Sequence, residues 1–133
     1  NFTGIRIAVS TARGLALGLG CPAVGVSGFE ALRLGQEGTC TCAIDARRGE
    51  VYLQTYSPEQ EMNLPQLLPT GEIPSDAGVL IGAGGQPPKY PQAIAIARVT
   101  AQRYQKKGEK PAPLYIRSAD AAPSKDAAPL ILP

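Results

Sequence analysis

The chain has 133 residues, of which 44% are hydrophobic and 18% are charged. This length and composition are typical of a folded domain or two small lobes rather than of a disordered protein. The formal net charge of +2 is too small to indicate nucleic-acid binding, and no apolar run reaches the roughly 20 residues of a membrane-spanning helix. The chain has no histidine, which excludes a Ser-His-Asp triad, a Cys-His pair and a histidine-bound zinc within it.

The first predicted element is a helix over residues 4–19, where apolar residues recur at helical spacing. The members of this stripe are Ile5, Val9, Ala12, Ala16 and Leu19. Gly14 and Gly18 lie four residues apart on one side of the helix, which lets another helix approach closely. Gly20 and Pro22 are expected to end the helix.

The chain opens directly on this helix, whose first turn Asn1 or Thr3 can cap. No methionine, basic stretch or signal-peptide pattern comes before it. We therefore expect further protein upstream. Because a truncated form would leave apolar surface uncovered, we also expect self-association, with a homodimer as one outcome.

The next segments predict a strand, a helix and a hairpin. Residues 23–26 are expected to form a short buried strand, and residues 27–30 (SGFE) form a capping box that starts a second helix running to Leu34. Alternating residues then predict a β-hairpin, with strands over residues 39–45 and 50–56 joined by a turn that contains glycine.

The remaining chain predicts a proline-rich loop over residues 57–76 with a short edge strand at residues 62–64, then a buried strand over residues 78–81. An amphipathic helix is predicted over residues 91–107, followed by one extended piece at residues 114–117. The apolar stripe of this helix is Ile94, Ala97, Ala101 and Tyr104. The order of elements predicts an α/β or mixed α+β fold.

The three cysteines are Cys21, Cys40 and Cys42. Their odd number and spacing argue against a disulfide framework, and a metal site would need further cysteine or histidine ligands. We expect buried thiols in a reducing, cytoplasmic environment.

Residues 98–117 carry six basic residues against one acidic residue. A solvated basic end of a helix is the favoured interpretation, and a surface that faces tRNA is the alternative.

Two short segments could bind phosphate. Residues 82–85 (GAGG) follow a buried strand, which is where phosphate loops often lie. A Walker loop would continue with lysine and a hydroxyl residue, but QPP follows here. A tight turn is therefore favoured over a phosphate site.

Glu59 and Glu61 form an acidic pair in a proline-rich loop and are expected to be solvated rather than catalytic.

The hairpin turn is the second anion-site candidate. Its residues are Asp45, Arg47, Arg48 and Gly49. A carboxylate at a strand end beside loop amides can hold a metal–phosphate unit, and the arginines can bind an anion or pair with Asp45 and Glu50. A structural hairpin is favoured over an anion site.

Four parts of the chain together resemble the TsaB (YeaZ) family. Residues 2–7 read FTGIRI and residues 12–16 read ARGLA, residues 24–27 read VGVS, residues 43–52 read AIDARRGEVY, and residues 113–117 read PLYIR. These motifs occur in family order from end to end. The chain departs from the family in lacking its first βββα half, and in having Asn1 where the family has serine.

The resemblance implies an α/β fold of the actin-like (ASKHA, ribonuclease H-like) type, here a partial copy. Residues 1–36 would be the remnant of the N-terminal lobe. Residues 37–117 would form the C-terminal lobe, and residues 118–133 a Pro/Ala-rich tail.

The resemblance also implies a non-catalytic subunit that pairs with the catalytic subunit TsaD, joined by TsaE, for threonylcarbamoyl transfer to adenosine 37 of tRNA. The partner-binding residues would be Phe2, Thr3, Arg6 and Arg13. The chain would have no catalytic residues, no metal and no cofactor of its own, with ATP or ADP only at the interface with the partner. The alternatives are a glycoprotease-like hydrolase and an autonomous ATP-binding actin-like module.

Overall fold

The computed structural model describes residues 2–58, 63–76, 78–105 and 110–117. Its elements, in chain order, are α1 (Phe2–Leu19), α2 (Gly28–Arg33), β1 (Cys40–Arg47), β2 (Glu50–Tyr56), β3 (Gln66–Pro69), a 3-10 turn (Thr70–Glu72), β4 (Val79–Gly82) and α3 (Gln92–Arg103). The predictions for Asn1, Glu59, Glu61 and the tail at residues 118–133 lie outside the described residues.

Four strands form one sheet in the order β3-β2-β1-β4. β1 and β2 pair antiparallel as the predicted hairpin, with Cys42 opposite Gln54, and β4 runs parallel to β1 with Ile81 opposite Cys42. The edge strand forms at Gln66–Pro69, and residues 63–64, the described part of the predicted position, form no strand. A proline is tolerated there because the outer side of an edge strand needs no backbone donor.

The short helix α2 covers one face of the sheet. Phe29 of α2 is buried against Cys40, Cys42, Tyr56 and Ile81. The predicted capping box is confirmed: the Ser27 hydroxyl accepts from the Glu30 amide at 3.2 Å, and the Glu30 carboxylate accepts from the Ser27 amide at 2.9 Å. The cap fixes the start of α2, and therefore the position of Phe29 over the sheet.

A smaller cluster forms on the other face of the sheet. Ala43, Val51 and Leu53 are buried there, and Leu68 and Ile73 pack against them. Since side chains alternate along a strand, this second cluster explains why both faces of the hairpin are apolar.

The glycine segment after β4 is the tight turn that the sequence favoured. Gly82 has φ of 98°, a value that favours glycine. The amides of Gly82, Ala83, Gly85 and Gln86 each donate to a backbone carbonyl within the fold. Donors engaged in this way cannot also hold a phosphate group.

Three local predictions are wrong. Residues 23–26 form no strand, because Gly25 lies against Pro111, which has no N–H to pair with it. Helix α3 buries Ala95 and Val99, whereas Ile94 is 48% exposed and Tyr104 is 49% exposed. α3 packs on the short helix α2, so only a narrow line of small residues is covered. Cys21, expected to be buried, is exposed.

These positions predict different reactivities for the three thiols. Cys40 and Cys42 are buried, and burial together with the neighbouring Cys40 raises the pKa of the Cys42 thiol to about 12. Because the thiolate is the reactive form, a thiol-specific reagent should modify Cys21 rapidly in the native protein and the other two only after denaturation. Equal reaction rates at Cys21 and Cys42 would contradict this arrangement.

Candidate functional site

Helix α1 ends as the sequence predicts. Gly20 takes φ of 65°, its amide donates to the carbonyl of Leu17, and the amide of Cys21 donates to the carbonyl of Ala16. This pair of bonds is a Schellman motif, which satisfies the last carbonyls of the helix. The helix therefore has a fixed length and a defined end.

Helix α1 presents a large uncovered apolar surface. None of its 18 residues, all of which are described, is buried. Its exposed large hydrophobic residues are Ile5, Ile7, Leu15, Leu17 and Leu19. A Cβ atom added at Gly4, Gly14 or Gly18 would meet nothing within 4 Å, so the glycine side of the helix is open. Exposed apolar surface of this extent is typical of a face that another segment or another chain covers.

The predicted partner-binding residues of α1 fall into two groups. Phe2 is half-buried with its ring centroid 5.2 Å from that of Tyr115, and Arg6 Nε donates to the Tyr115 hydroxyl at 2.7 Å. Thr3 and Arg13 are exposed. The structure thus brings Phe2 and Arg6 together on one tyrosine that the sequence analysis had not singled out.

The hairpin turn holds three successive residues in the left-handed region. Arg47, Arg48 and Gly49 have φ of 66°, 56° and 73°. A β-bulge between Asp45 and Arg47 precedes the turn. Two consecutive arginines in this region each cost about 1 kcal/mol or more relative to glycine. The turn is therefore a strained part of the backbone.

The carboxylate of Asp45 is engaged within its own turn. Its Oδ1 accepts from the Arg47 amide at 2.8 Å, and its Oδ2 lies 3.8 Å from the Arg47 guanidinium, with both side chains largely exposed. Of the two options that the sequence left open for the arginines, Arg47 takes the pairing with Asp45. Glu50, however, pairs with Arg117 rather than with an arginine of the turn. Through these contacts the Asp45 carboxylate stabilises the hairpin turn.

Residues 111–117, which we call the C-terminal strap, connect the two candidate regions. Arg117 forms an ion pair with Glu50 and donates to the Ala46 carbonyl at 3.4 Å. Burial lowers the pKa of Arg117, but the nearby Tyr52 hydroxyl and the charge of Glu50 outweigh that effect and raise this pKa overall. The sequence predicts an extended piece at residues 114–117 and a motif at residues 113–117, but nothing local to them shows these distant partners.

Three described basic residues of the 98–117 stretch contact separate parts of the fold. Arg98 lies over the Tyr90 ring at 4.3 Å, and Arg103 pairs with Glu30. Burial raises the pKa of Glu30, but the Arg103 hydrogen bond and the Ser27 amide outweigh it and lower that pKa overall. Arg117 is engaged with Glu50. Lys106, Lys107 and Glu109 lie outside the described residues.

Within residues 2–58, 63–76, 78–105 and 110–117, no group of three or more His, Cys, Asp or Glu side chains is placed to hold a metal ion. None of the described helices has the length and apolar character required to cross a membrane.

Comparison with known proteins gives a consistent result. A family model for "TsaD: tRNA N6-adenosine threonylcarbamoyltransferase" matches residues 1–65. The chain is 42% identical over 65 residues to the tRNA threonylcarbamoyladenosine biosynthesis protein TsaB of Escherichia coli, covering 45% of this chain and 28% of that protein. It is 29% identical over 133 residues to an uncharacterized protein of Mycobacterium tuberculosis, covering 92% of this chain and 62% of that protein.

Two solved structures from Pseudomonas aeruginosa share the fold. One, described as an uncharacterized protein with similarity to peptidase YEAZ, superposes with a TM-score of 0.58 at 26% identity over 88% of this chain and 69% of that chain. The other, YeaZ, superposes with a TM-score of 0.51 at 26% identity over 77% of this chain and 63% of that chain.

The α/β sheet therefore has the actin-like fold of the YeaZ structures. Together with the match to TsaB over 65 residues, this makes the chain similar to proteins of the TsaB (YeaZ) family. The chain spans 28% to 62% of the length of these curated relatives.

The hairpin turn can be tested by the substitution Arg48→Asn. Asparagine tolerates the left-handed region better than arginine does, and Asn-Gly is a preferred pair in two-residue hairpin turns. We therefore expect the free energy of unfolding to rise by about 0.5–1 kcal/mol. Thermal melts with and without inorganic phosphate measure this effect. Lys110→Asn, which removes an exposed cation outside the turn, is the control. If phosphate stabilises the wild type and Arg48→Asn abolishes that effect, the turn is an anion site instead.

Proposed function

We propose that this chain is a non-catalytic subunit in threonylcarbamoyl modification of tRNA adenosine, and that it pairs with a TsaD-type catalytic subunit through α1. The observation that carries the proposal is the uncovered apolar surface of α1, together with its place in the chain. α1 lies within residues 1–65, the part that matches the TsaD family model. The TsaB relative is named for threonylcarbamoyladenosine biosynthesis.

The surface of α1 has the chemistry of a helix-packing interface. Leu17 is 85% exposed, and the open positions at Gly14 and Gly18 let a second helix approach the backbone. Burying one such leucine contributes about 1.5–3 kcal/mol. Arg13 adds an exposed charge that can fix the register against an acidic partner residue.

The chain's own groups support a role without catalysis. It has no histidine to act as a base, and Asp45 is engaged by the Arg47 amide. In the proposed assembly any ATP or ADP binds at the interface with the catalytic subunit. A TsaE-type protein joins the pair, and tRNA is contacted through the partner.

The proposal predicts that Leu17→Arg weakens binding of the full chain to the TsaD-type subunit from the same source by at least tenfold in calorimetry, since a desolvated leucine would be replaced by a charge. Leu64→Arg is the matched control, because Leu64 is 83% exposed and lies outside α1. Both variants should retain the thermal stability of the wild type.

Two outcomes would contradict the proposal. Equal loss of affinity in Leu17→Arg and Leu64→Arg would mean that α1 is not the binding surface. Unchanged affinity in both, with Leu17→Arg converting a dimer to a monomer in light scattering, would mean that α1 serves self-association instead.

A further inference from the structure

We propose that the C-terminal strap positions α1 for its partner, with Tyr115 as the positioning residue and the Arg117–Glu50 ion pair as its anchor. The inference rests on the proposed function only where it concerns partner binding. Its structural part, that the strap holds α1 in place, stands on the contacts of the free chain.

Tyr115 is the contact between the strap and α1. Its ring packs against Phe2 and its hydroxyl accepts from Arg6 Nε, while the Arg6 guanidinium also lies 5.6 Å from the centre of the ring. Phe2 and Arg6 lie four residues apart, so they occupy the same side of α1. One side chain therefore engages the first two turns of a helix that has no buried residue of its own.

The two residues after Tyr115 anchor the strap to the folded sheet. Ile116 packs against the cluster that contains Phe29 and Cys42. Arg117 pairs with Glu50 at the start of β2, where both side chains are largely shielded from solvent, with 18% and 31% exposed. A partly buried pair of this kind holds its geometry better than a surface pair.

The other end of the strap is restrained as well. Pro111 lies against Gly25, at a distance where an added Cβ would approach to 3.3 Å. Pro111 and Pro113 fix two backbone angles of the strap. The strap is therefore a stiff segment that is restrained at both ends and places Tyr115 against α1. Residues 115–117 link α1 to the hairpin.

This link makes a prediction that a purely local contact does not make. Glu50→Gln removes the charge that anchors Arg117, although Glu50 lies on β2 rather than on α1. Hydrogen exchange in α1 should then become about threefold faster, while exchange in β1 stays unchanged. Glu30→Gln is the matched control, because it removes the carboxylate that pairs with Arg103 and keeps a side chain suited to the capping box.

Substitutions of Tyr115 give the direct test. Tyr115→Ala should speed exchange in α1 about fivefold or more, and Tyr115→Phe, which keeps the ring against Phe2 but loses the hydroxyl, should give an intermediate effect. Leu114→Ala is the control within the strap, because Leu114 is exposed. If Tyr115→Ala and Glu50→Gln leave exchange in α1 unchanged, the strap does not position α1.

The second arm measures affinity for the TsaD-type subunit with the same variants. Tyr115→Ala should weaken binding about threefold or more, because a smaller fraction of the free chain holds α1 in the competent position. If Tyr115→Ala speeds exchange in α1 but binds with the same affinity as Leu114→Ala, the link between the strap and binding is overturned. If Leu17→Arg also binds as the wild type does, the failure is that of the proposed function, because that variant does not alter the strap.

Discussion

The pairing of β1 with its two neighbours is the interaction on which the sheet, α2 and α3 depend. β1 pairs antiparallel with β2 and parallel with β4, and its residues contribute to the buried clusters on both faces of the sheet. The capping box starts α2 at the place where Phe29 covers the cysteines of β1. α3 in turn packs on α2. Removing the order in β1 would remove the support of every one of these elements.

Helix α1 stands outside this arrangement. It has a well-formed end but no buried residue, and its large apolar side chains are exposed. Most of the stability of a helix in a protein comes from tertiary packing, and the three glycines of α1 weaken it further. In our proposal two contacts stabilise α1: the strap restrains one side of the helix through Tyr115, and the partner covers another side. The free chain then keeps α1 in position while its apolar side chains stay accessible to the partner.

Much of the local structure could be predicted from the sequence, because its causes are local. The capping box needs only Ser27 and Glu30, and the end of α1 needs only Gly20 in the left-handed region. The burial on α3 could not be predicted, since which side of an amphipathic helix is covered depends on the partner that happens to pack there. The strap contacts were missed for the same reason: Arg6 and Tyr115 are 109 residues apart, and Glu50 and Arg117 are 67 apart. The resemblance brought these motifs to notice without showing that they touch.

The central claim is that α1 is the surface by which this chain joins a TsaD-type subunit. The most direct measurement is hydrogen exchange of the unmodified full chain, alone and with that subunit from the same source. The account predicts that amides of α1 become strongly protected on mixing, while those of β1 and β2 keep the exchange rates of the free chain. Protection confined to the sheet or α3, with α1 exchanging as in the free chain, would contradict it.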